Sequence, residues 1–113
     1  DIPISEALRR TAREEGRSLG KTVLKSAGSK GRSAIRDATT RVLEDCGYEP
    51  RIDSSGVTLV NCPFHSLAQK YTDLVCGINL ELMDGLLTCL DRAGLEATLD
   101  PAPARCCVRL QNA

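Results

Sequence analysis

The sequence predicts an α+β domain in which an N-terminal αα-hairpin precedes a ββαββ unit, with a small antiparallel sheet packed on a central apolar helix. Three observations support this. Apolar residues recur at helical spacing as far as Cys46, and after Gly47 short segments alternate with a period of two. Between the two pairs of short segments lies one helix-length segment that is apolar most of the way round. The length of 113 residues, with 42% hydrophobic and 27% charged residues, suits one domain and excludes a disordered chain.

Two helices are expected in residues 1–46. The apolar or small residues of the first helix, which spans about Ser5 to Ala27, are Leu8, Ala12, Gly16, Leu19, Val23 and Ala27. Gly16 and Gly20 each cost about 1 kcal/mol relative to Ala inside a helix, so they either weaken the helix or allow another backbone to approach closely, and we expect the close approach. The second helix is expected to end at Gly47, and its apolar stripe comprises Ile35, Ala38, Thr39, Val42, Leu43 and Cys46.

Two β-hairpins are expected in residues 47–113. Tyr48–Ile52 and Val57–Asn61 flank an Asp-Ser-Ser-Gly turn, and Pro50 indicates an edge strand because proline donates no backbone hydrogen bond. Leu95–Leu99 and Cys106–Leu110 flank a proline-rich turn. The change of period therefore divides the chain into a helical segment, residues 1–46, and a cysteine-bearing α+β segment, residues 47–113.

The central helix is expected to begin with Thr72 as its N-cap and to run to about Arg92. Its leucines and other apolar residues cover two sides of the helix. Such a helix must be covered on both sides, by the sheet and by either the αα-hairpin or a second subunit.

The composition indicates an aliphatic, sulfur-rich core, because only 3% of the residues are aromatic while six are cysteines. No signal peptide or membrane span is recognisable, so we expect a cytoplasmic protein in which cysteines serve metal binding or redox chemistry. The chain begins at Asp1 rather than Met, and we expect it to be part of a longer protein.

The charges of the chain balance, with 15 basic and 15 acidic residues, and the basic residues of the first helix lie on all sides of it with glutamates among them. A solvated face with internal ion pairs is therefore expected rather than direct DNA binding.

Cysteines and one histidine form the candidate site. Cys62 ends a predicted strand, His65 follows in the turn, and Cys76 lies in the first turns of the central helix, so these three can converge at one corner. Cys106 and Cys107 begin the last strand, where neighbouring side chains point to opposite faces, so we expect only one of them at that corner. Cys106 is favoured because it shares its face with Val108 and Leu110.

Three thiolates and an imidazole suit a zinc ion or an iron–sulfur cluster, because soft sulfur ligands select these over hard cations. The alternative is that the cysteines are core residues, since free cysteine often behaves as a small apolar side chain. Cys89 lies 13 residues after Cys76 on the same predicted helix, about 20 Å away and on nearly the opposite face. Cys89 and Cys46 are therefore expected to be core thiols.

Several segments resemble the C-terminal half of bacterial winged-helix regulators, of the actinobacterial, loosely ArsR-like type related to the iron–sulfur repressors of the Suf operon. The segments are Asn61-Cys-Pro-Phe-His65, Leu74-Val-Cys-Gly-Ile-Asn-Leu80, Gly85-Leu-Leu87 and Arg105-Cys-Cys-Val-Arg-Leu110. The resemblance implies a homodimer that binds DNA through an N-terminal winged helix and holds a metal or cluster in this domain. By motif position the ligands are Cys62, Cys76 and one of Cys106 and Cys107. The Suf-type repressors use a more evenly spaced series that would need Cys89, so zinc is the first expectation and an iron–sulfur cluster the alternative.

The functional prediction is a metal-binding sensor and dimerisation domain without enzymatic activity. One alternative is a thiol enzyme in which Cys62 is the nucleophile and His65 the base, although no third group orients His65 and no glycine-rich oxyanion segment is present. The other is a domain that binds a small effector and keeps its cysteines purely in the core.

Overall fold

The protein, described by a computed structural model, contains four helices and a four-stranded antiparallel sheet within residues 3–29, 31–90, 94–100 and 106–112. These are the residues that the structure describes, and for His65 they include the backbone only. The elements in chain order are α1 (Ile4–Ser26), α2 (Arg32–Asp45), β1 (Pro50–Asp53), β2 (Gly56–Leu59), α3 (His65–Lys70), α4 (Thr72–Cys89), β3 (Leu95–Leu99) and β4 (Val108–Asn112). The α+β class is confirmed.

The order of elements differs from the predicted ββαββ by one helix, because α3 forms where the sequence analysis expected a turn. This helix is six residues long, and its first bond of the i to i−4 type joins the Ala68 amide to the Phe64 carbonyl oxygen at 2.8 Å. A helix of six residues is too short to show a repeating apolar pattern, which is why periodicity does not reveal it.

The sheet has the strand order β1-β2-β4-β3, and every neighbouring pair is antiparallel. Both predicted hairpin pairings are present, with Arg51 opposite Thr58 in the first and Thr98 opposite Arg109 in the second. The strand that contains Pro50 lies at an edge, as predicted. Residues 101–105, where the second turn was predicted, lie outside the described residues.

Helices α1 and α4 run in the same direction and pack with their backbones unusually close. A Cβ atom added to Gly16 would collide with the carbonyl group of Leu82, and one added to Gly85 would collide with that of Arg13. At Gly20 an added Cβ would lie 2.6 Å from the Cβ of Cys89. The prediction that Gly16 and Gly20 permit a close backbone approach is confirmed, and α1 is the element that makes it.

Helix α4 lies between α1 and the sheet, which confirms the predicted sandwich. The core between α4, α2 and the sheet is aliphatic apart from Tyr48, and it includes Cys106. Its buried members are Val23, Ile35, Ala38, Val42, Leu43, Tyr48, Val57, Leu59, Met83, Leu86, Leu87, Leu90, Leu95, Cys106, Val108 and Leu110.

Two details of the helix boundaries were predicted wrongly. Thr72 is the first residue of α4 rather than its N-cap, and its hydroxyl donates to the Ala68 carbonyl oxygen at 2.6 Å, so α3 leads almost directly into α4. The helix ends at Cys89, short of Arg92, and residues 91–93 lie outside the described residues. In the part of the chain that the structure describes, no helix is long and apolar enough to cross a membrane.

Candidate functional site

The structure joins two of the predicted ligands, Cys76 and Cys107, in a disulfide. Cys76 lies in the second turn of α4 and Cys107 immediately precedes β4, so the bond ties the central helix to the last strand. The two Cα atoms are 6.1 Å apart, which is an ordinary separation for a disulfide. Cys76 is 9% exposed, and Cys107 is half-buried.

Cys62 and Cys106 form a second pair, in which the Cys62 side chain lies close enough to Cys106 to affect its pKa. The pairing follows from the sheet, because the Cys106 amide donates to the Leu59 carbonyl oxygen at 2.9 Å and Cys62 follows Leu59 by three residues. Cys106 is 1% exposed. Burial, with a smaller contribution from Cys62, raises the pKa of the Cys106 thiol from 9.0 to about 11, so this thiol is protonated at neutral pH.

Both adjacent cysteines therefore belong to the site, whereas only one was expected to reach it. The assignment of faces was correct, since Cys106, Val108 and Leu110 are buried while Cys107 and Arg109 are half-buried. However, Cys106 and Cys107 precede the regular part of β4, and Cys107 lies in a bend. Because the backbone bends there, Cys107 reaches Cys76 on α4 while Cys106 reaches Cys62.

A buried hydrogen-bond chain that the sequence analysis missed leads to Cys62. The Tyr48 hydroxyl donates to Asn79 Oδ1 at 2.6 Å, and Asn79 Nδ2 donates to Cys62 Sγ at 3.4 Å. Burial raises the pKa of Tyr48, so its hydroxyl keeps the proton that it donates. The sequence feature that could have revealed this chain is Asn79, a polar residue on the buried side of α4. Val75, Cys76 and Met83 lie on the same side of the helix.

The four cysteines Cys62, Cys76, Cys106 and Cys107, named here the cysteine cluster, are linked in a ring. The disulfide joins Cys76 to Cys107, and a peptide bond joins Cys107 to Cys106. The Cys106 side chain lies near that of Cys62, and a hydrogen bond connects Asn79 to Cys62. Asn79 closes the ring because it follows Cys76 by three residues on α4. Residues from the segment after β2, from α4 and from the start of β4 thus meet at one place.

The fit of these residues to a metal ion depends on the oxidation state of the cluster. In the disulfide-bonded form the donors do not fit, because the sulfurs of Cys76 and Cys107 are bonded to each other. Within the described residues no group of three or more His, Cys, Asp or Glu is arranged to hold a metal ion. The side chain of His65, the remaining predicted ligand, lies outside the described residues.

The other two cysteines are separate from the cluster. Cys89 ends α4, half-buried against Gly20 of α1, which agrees with its exclusion from the site by helix geometry. Cys46 was predicted to be a core thiol, and this prediction was wrong, because Cys46 is exposed. It follows the last residue of α2, and the chain turns at Gly47 with a φ of 98°, which leaves Cys46 outside the packed face.

Two basic residues of α1, Arg10 and Arg13, form ion pairs within the molecule. Arg13 Nη2 lies 2.7 Å from Glu81 Oε2 and its Nη1 lies 2.8 Å from Asp84 Oδ2, so this arginine connects α1 to α4. Arg10 and Glu6 form a weaker, exposed pair at 3.9 Å within α1. These pairs compensate part of the positive charge of the helix.

Comparison of the chain with models of known protein families, with curated proteins and with solved structures finds no match.

Proposed function

We propose that this chain is the sensor domain of a transcription regulator and that its cysteine cluster binds a soft metal ion when the cluster is reduced. The observation that carries the proposal is the convergence of four of the six cysteines from three separate segments. Packing alone does not need this convergence, since aliphatic side chains fill the rest of the core. Sulfur donors at this density suit zinc or an iron–sulfur cluster.

The disulfide makes the proposed site dependent on redox state. Opening the Cys76–Cys107 bond would supply two more thiols beside Cys62 and Cys106. Metal binding would then need protons to leave these thiols, since the thiolate is the ligand. The hydrogen bond from the Asn79 amide holds Cys62 Sγ at the cluster. Zinc is the first expectation and an iron–sulfur cluster the alternative.

The finer features of the proposal come from the resemblance to winged-helix regulators. They are a homodimer, DNA binding through a winged-helix domain outside these 113 residues, a cytoplasmic location and a linker role for residues 1–46. Sedimentation of the reduced chain with and without zinc tests the homodimer.

A thiol-based redox activity is the second candidate, and the disulfide itself favours it. Disulfides in reducing compartments are mostly transient or redox-sensing. Stoichiometric metal in the reduced protein would favour the sensor. A reduced chain without metal that cycles catalytically between dithiol and disulfide would favour the enzyme.

The proposal is tested by zinc titration of two single-cysteine variants. In protein kept reduced with a phosphine, Cys62→Ser should weaken zinc binding at least about tenfold, because loss of a ligand costs no less than loss of a second-shell partner. Cys46→Ser is the matched control, since Cys46 is exposed and separate from the cluster. It should bind about one zinc per chain, like the unaltered protein. Equal zinc binding by both variants would contradict the proposal.

A further inference from the structure

A cavity of about 410 Å³ opens beside the disulfide, on the side of Cys76. The first turns of α4, the first half of α1 and the end of β3 enclose it. Arg9, Asp73, Cys76, Gly77 and Leu99 are among the residues that line it, whereas Cys107 is not. A molecule that enters the cavity therefore lies against Cys76, which is 9% exposed.

The cavity contains charges that would orient a small ion. The guanidinium group of Arg9 lies over Gly77, where an added Cβ would be 3.3 Å from both Nε and Nη2. The acidic residue Glu81 also lines the cavity, but its carboxylate is paired with Arg13 at 2.7 Å. Asp73 adds one negative charge in the first turn of α4. Arg9 is thus the group that can attract a carboxylate beside Cys76.

We propose that this cavity admits a small thiol that carries a carboxylate, of the same chemical class as glutathione, and that this thiol opens the disulfide at Cys76. The carboxylate pairs with Arg9 while the thiolate sulfur approaches Cys76 Sγ. Although Cys107 is the more exposed of the two, we expect a thiol bound in the cavity to attack Cys76, because Cys76 is the disulfide cysteine that lines the cavity beside Arg9.

The reaction consumes two small thiols and transfers two electrons. In the first step a bond forms between the small thiolate and Cys76 Sγ, the bond between Cys76 and Cys107 breaks, and Cys107 Sγ leaves with the electron pair and takes a proton from water. In the second step another small thiolate attacks the small-molecule sulfur of the mixed disulfide. Cys76 Sγ leaves with the electron pair and takes a proton from water, and the small thiol leaves as its oxidised dimer.

The consequence for regulation rests on the proposed function. If the cluster binds metal when reduced, this reaction supplies the two missing thiols, and the small-thiol pool sets how much of the protein can bind metal. The opening of the disulfide does not itself depend on metal. Its test below contains no metal, so failure of this proposal and failure of the metal site give different results.

The first test identifies the sulfur that is attacked. The oxidised, metal-free chain is treated briefly with glutathione, quenched in acid, alkylated with N-ethylmaleimide and analysed by peptide mass spectrometry. The expected product carries glutathione on Cys76 and maleimide on Cys107. Glutathione on Cys107, glutathione spread equally over both residues, or no glutathione adduct at all would overturn the proposal.

The second test measures the role of Arg9 with three thiols that differ in charge: 3-mercaptopropionate, 2-mercaptoethanol and cysteamine. Each rate of disulfide opening is divided by the rate of the same thiol with a small uncharged disulfide, which removes differences in intrinsic reactivity. We expect mercaptopropionate to exceed cysteamine by about 2- to 5-fold, as for one charge pair with an exposed arginine. High salt should reduce this preference.

Three variants complete the second test. Arg9→Gln should abolish the preference for mercaptopropionate, and Asp73→Asn should increase it. Arg10→Gln, which removes a neighbouring arginine paired with Glu6, is the matched control and should leave the preference unchanged. A preference that survives in Arg9→Gln, or one that Arg10→Gln abolishes equally, would overturn the proposal.

Discussion

Asn79 shows how a single buried amide can serve both folding and the candidate site. It is 0% exposed on an otherwise apolar face of α4, and an unpaired amide there would be costly. Tyr48 satisfies its oxygen, and Cys62 accepts from its nitrogen. Because the Tyr48 hydroxyl donates to Oδ1, the amide is oriented with its N–H group towards sulfur.

The Tyr48–Asn79 bond should therefore be measurable as a coupling in stability. Asn79→Leu leaves the Tyr48 hydroxyl buried without its partner, which should cost about 1–3 kcal/mol of unfolding free energy. Tyr48→Phe removes that hydroxyl, so the double variant should lose less than the sum of the two single variants. Urea unfolding of all four proteins checks this prediction. Additive losses would show that the bond contributes nothing.

The sequence pointed to the four cysteines of the candidate site but not to their polar neighbours. Cys62, Cys76, Cys106 and Cys107 are conspicuous because cysteine is uncommon and its chemistry is specific. Tyr48 and Asn79 are 31 residues apart and of ordinary types, so only their contact in the fold distinguishes them. Reactive residue types can thus be recognised in a sequence, whereas a hydrogen bond between residues of distant elements cannot.

At the scale of elements, the contact between α1 and α4 depends on glycines that allow the two backbones to meet. Gly16 and Gly20 face α4, and Gly85 faces α1. The salt bridges of Arg13 with Glu81 and Asp84 lie beside this contact. The glycines set the distance between the helices, and α1 in turn forms one wall of the cavity at Cys76.

Replacement of Gly16 by Ala should destabilise the protein although Ala favours helix. The added Cβ would overlap the Leu82 carbonyl group, which is backbone and cannot easily move, so we expect a loss of about 1–3 kcal/mol. Gly28→Ala is the matched control, because nothing lies within 4 Å of a Cβ added there. Its effect should stay within about 0.5 kcal/mol. Thermal or urea unfolding measures both, and equal stabilities would contradict the packing described here.

The turn between β1 and β2 should lose stability in acid. Asp53 Oδ1 accepts hydrogen bonds from the Ser55 hydroxyl at 2.6 Å and the Ser55 amide at 2.8 Å. The hydrogen bonds from Ser55 are the main reason that the pKa of Asp53 lies below its ordinary value of 3.8. The contribution is present above pH 3.8 and is lost as the pH falls through the lower folded pKa.

Asp53→Asn should therefore cost under about 1 kcal/mol at pH 7, because the residue is exposed, and the cost should shrink towards pH 2. Urea unfolding at several pH values measures the difference between variant and parent. A difference that is independent of pH would contradict the role of the carboxylate.

Sequence periodicity predicted most elements but failed where local geometry is irregular. α1, α2, α4 and both hairpins have clear repeats or turn residues. α3 has six residues and no repeat. Cys107 likewise lies in a bend just before β4, and it reaches Cys76 although it is on the other face from Cys106.

At the scale of the whole molecule, the cysteine cluster links the sheet to the central helix. The disulfide spans 31 residues between α4 and the start of β4, and Cys62 reaches Cys106 across the end of the sheet. A change at the cluster would therefore act on α4, and through α4 on α1. The proposed sensor function requires such a connection, because a change of metal or redox state at the cluster must alter the position of other elements.

Reduction should weaken the fold, and zinc should restore it. Loss of a disulfide that closes a loop of this length should cost about 3–4 kcal/mol by chain entropy. Zinc binding to the reduced cluster should recover stability, because a metal that binds only the folded form stabilises it. Thermal unfolding of the oxidised, the reduced and the reduced zinc-loaded chain measures both effects. Zinc that leaves the melting temperature of the reduced chain unchanged would count against the site.

The most direct test of the central claim is the metal content of protein purified without oxygen, compared with the same protein after oxidation. Elemental analysis with an absorption spectrum should find about one zinc per reduced chain with no visible absorbance, or iron with visible absorbance if a cluster is bound. Oxidation to the disulfide should release the metal. A reduced chain without metal, or equal metal content in both states, would contradict the account.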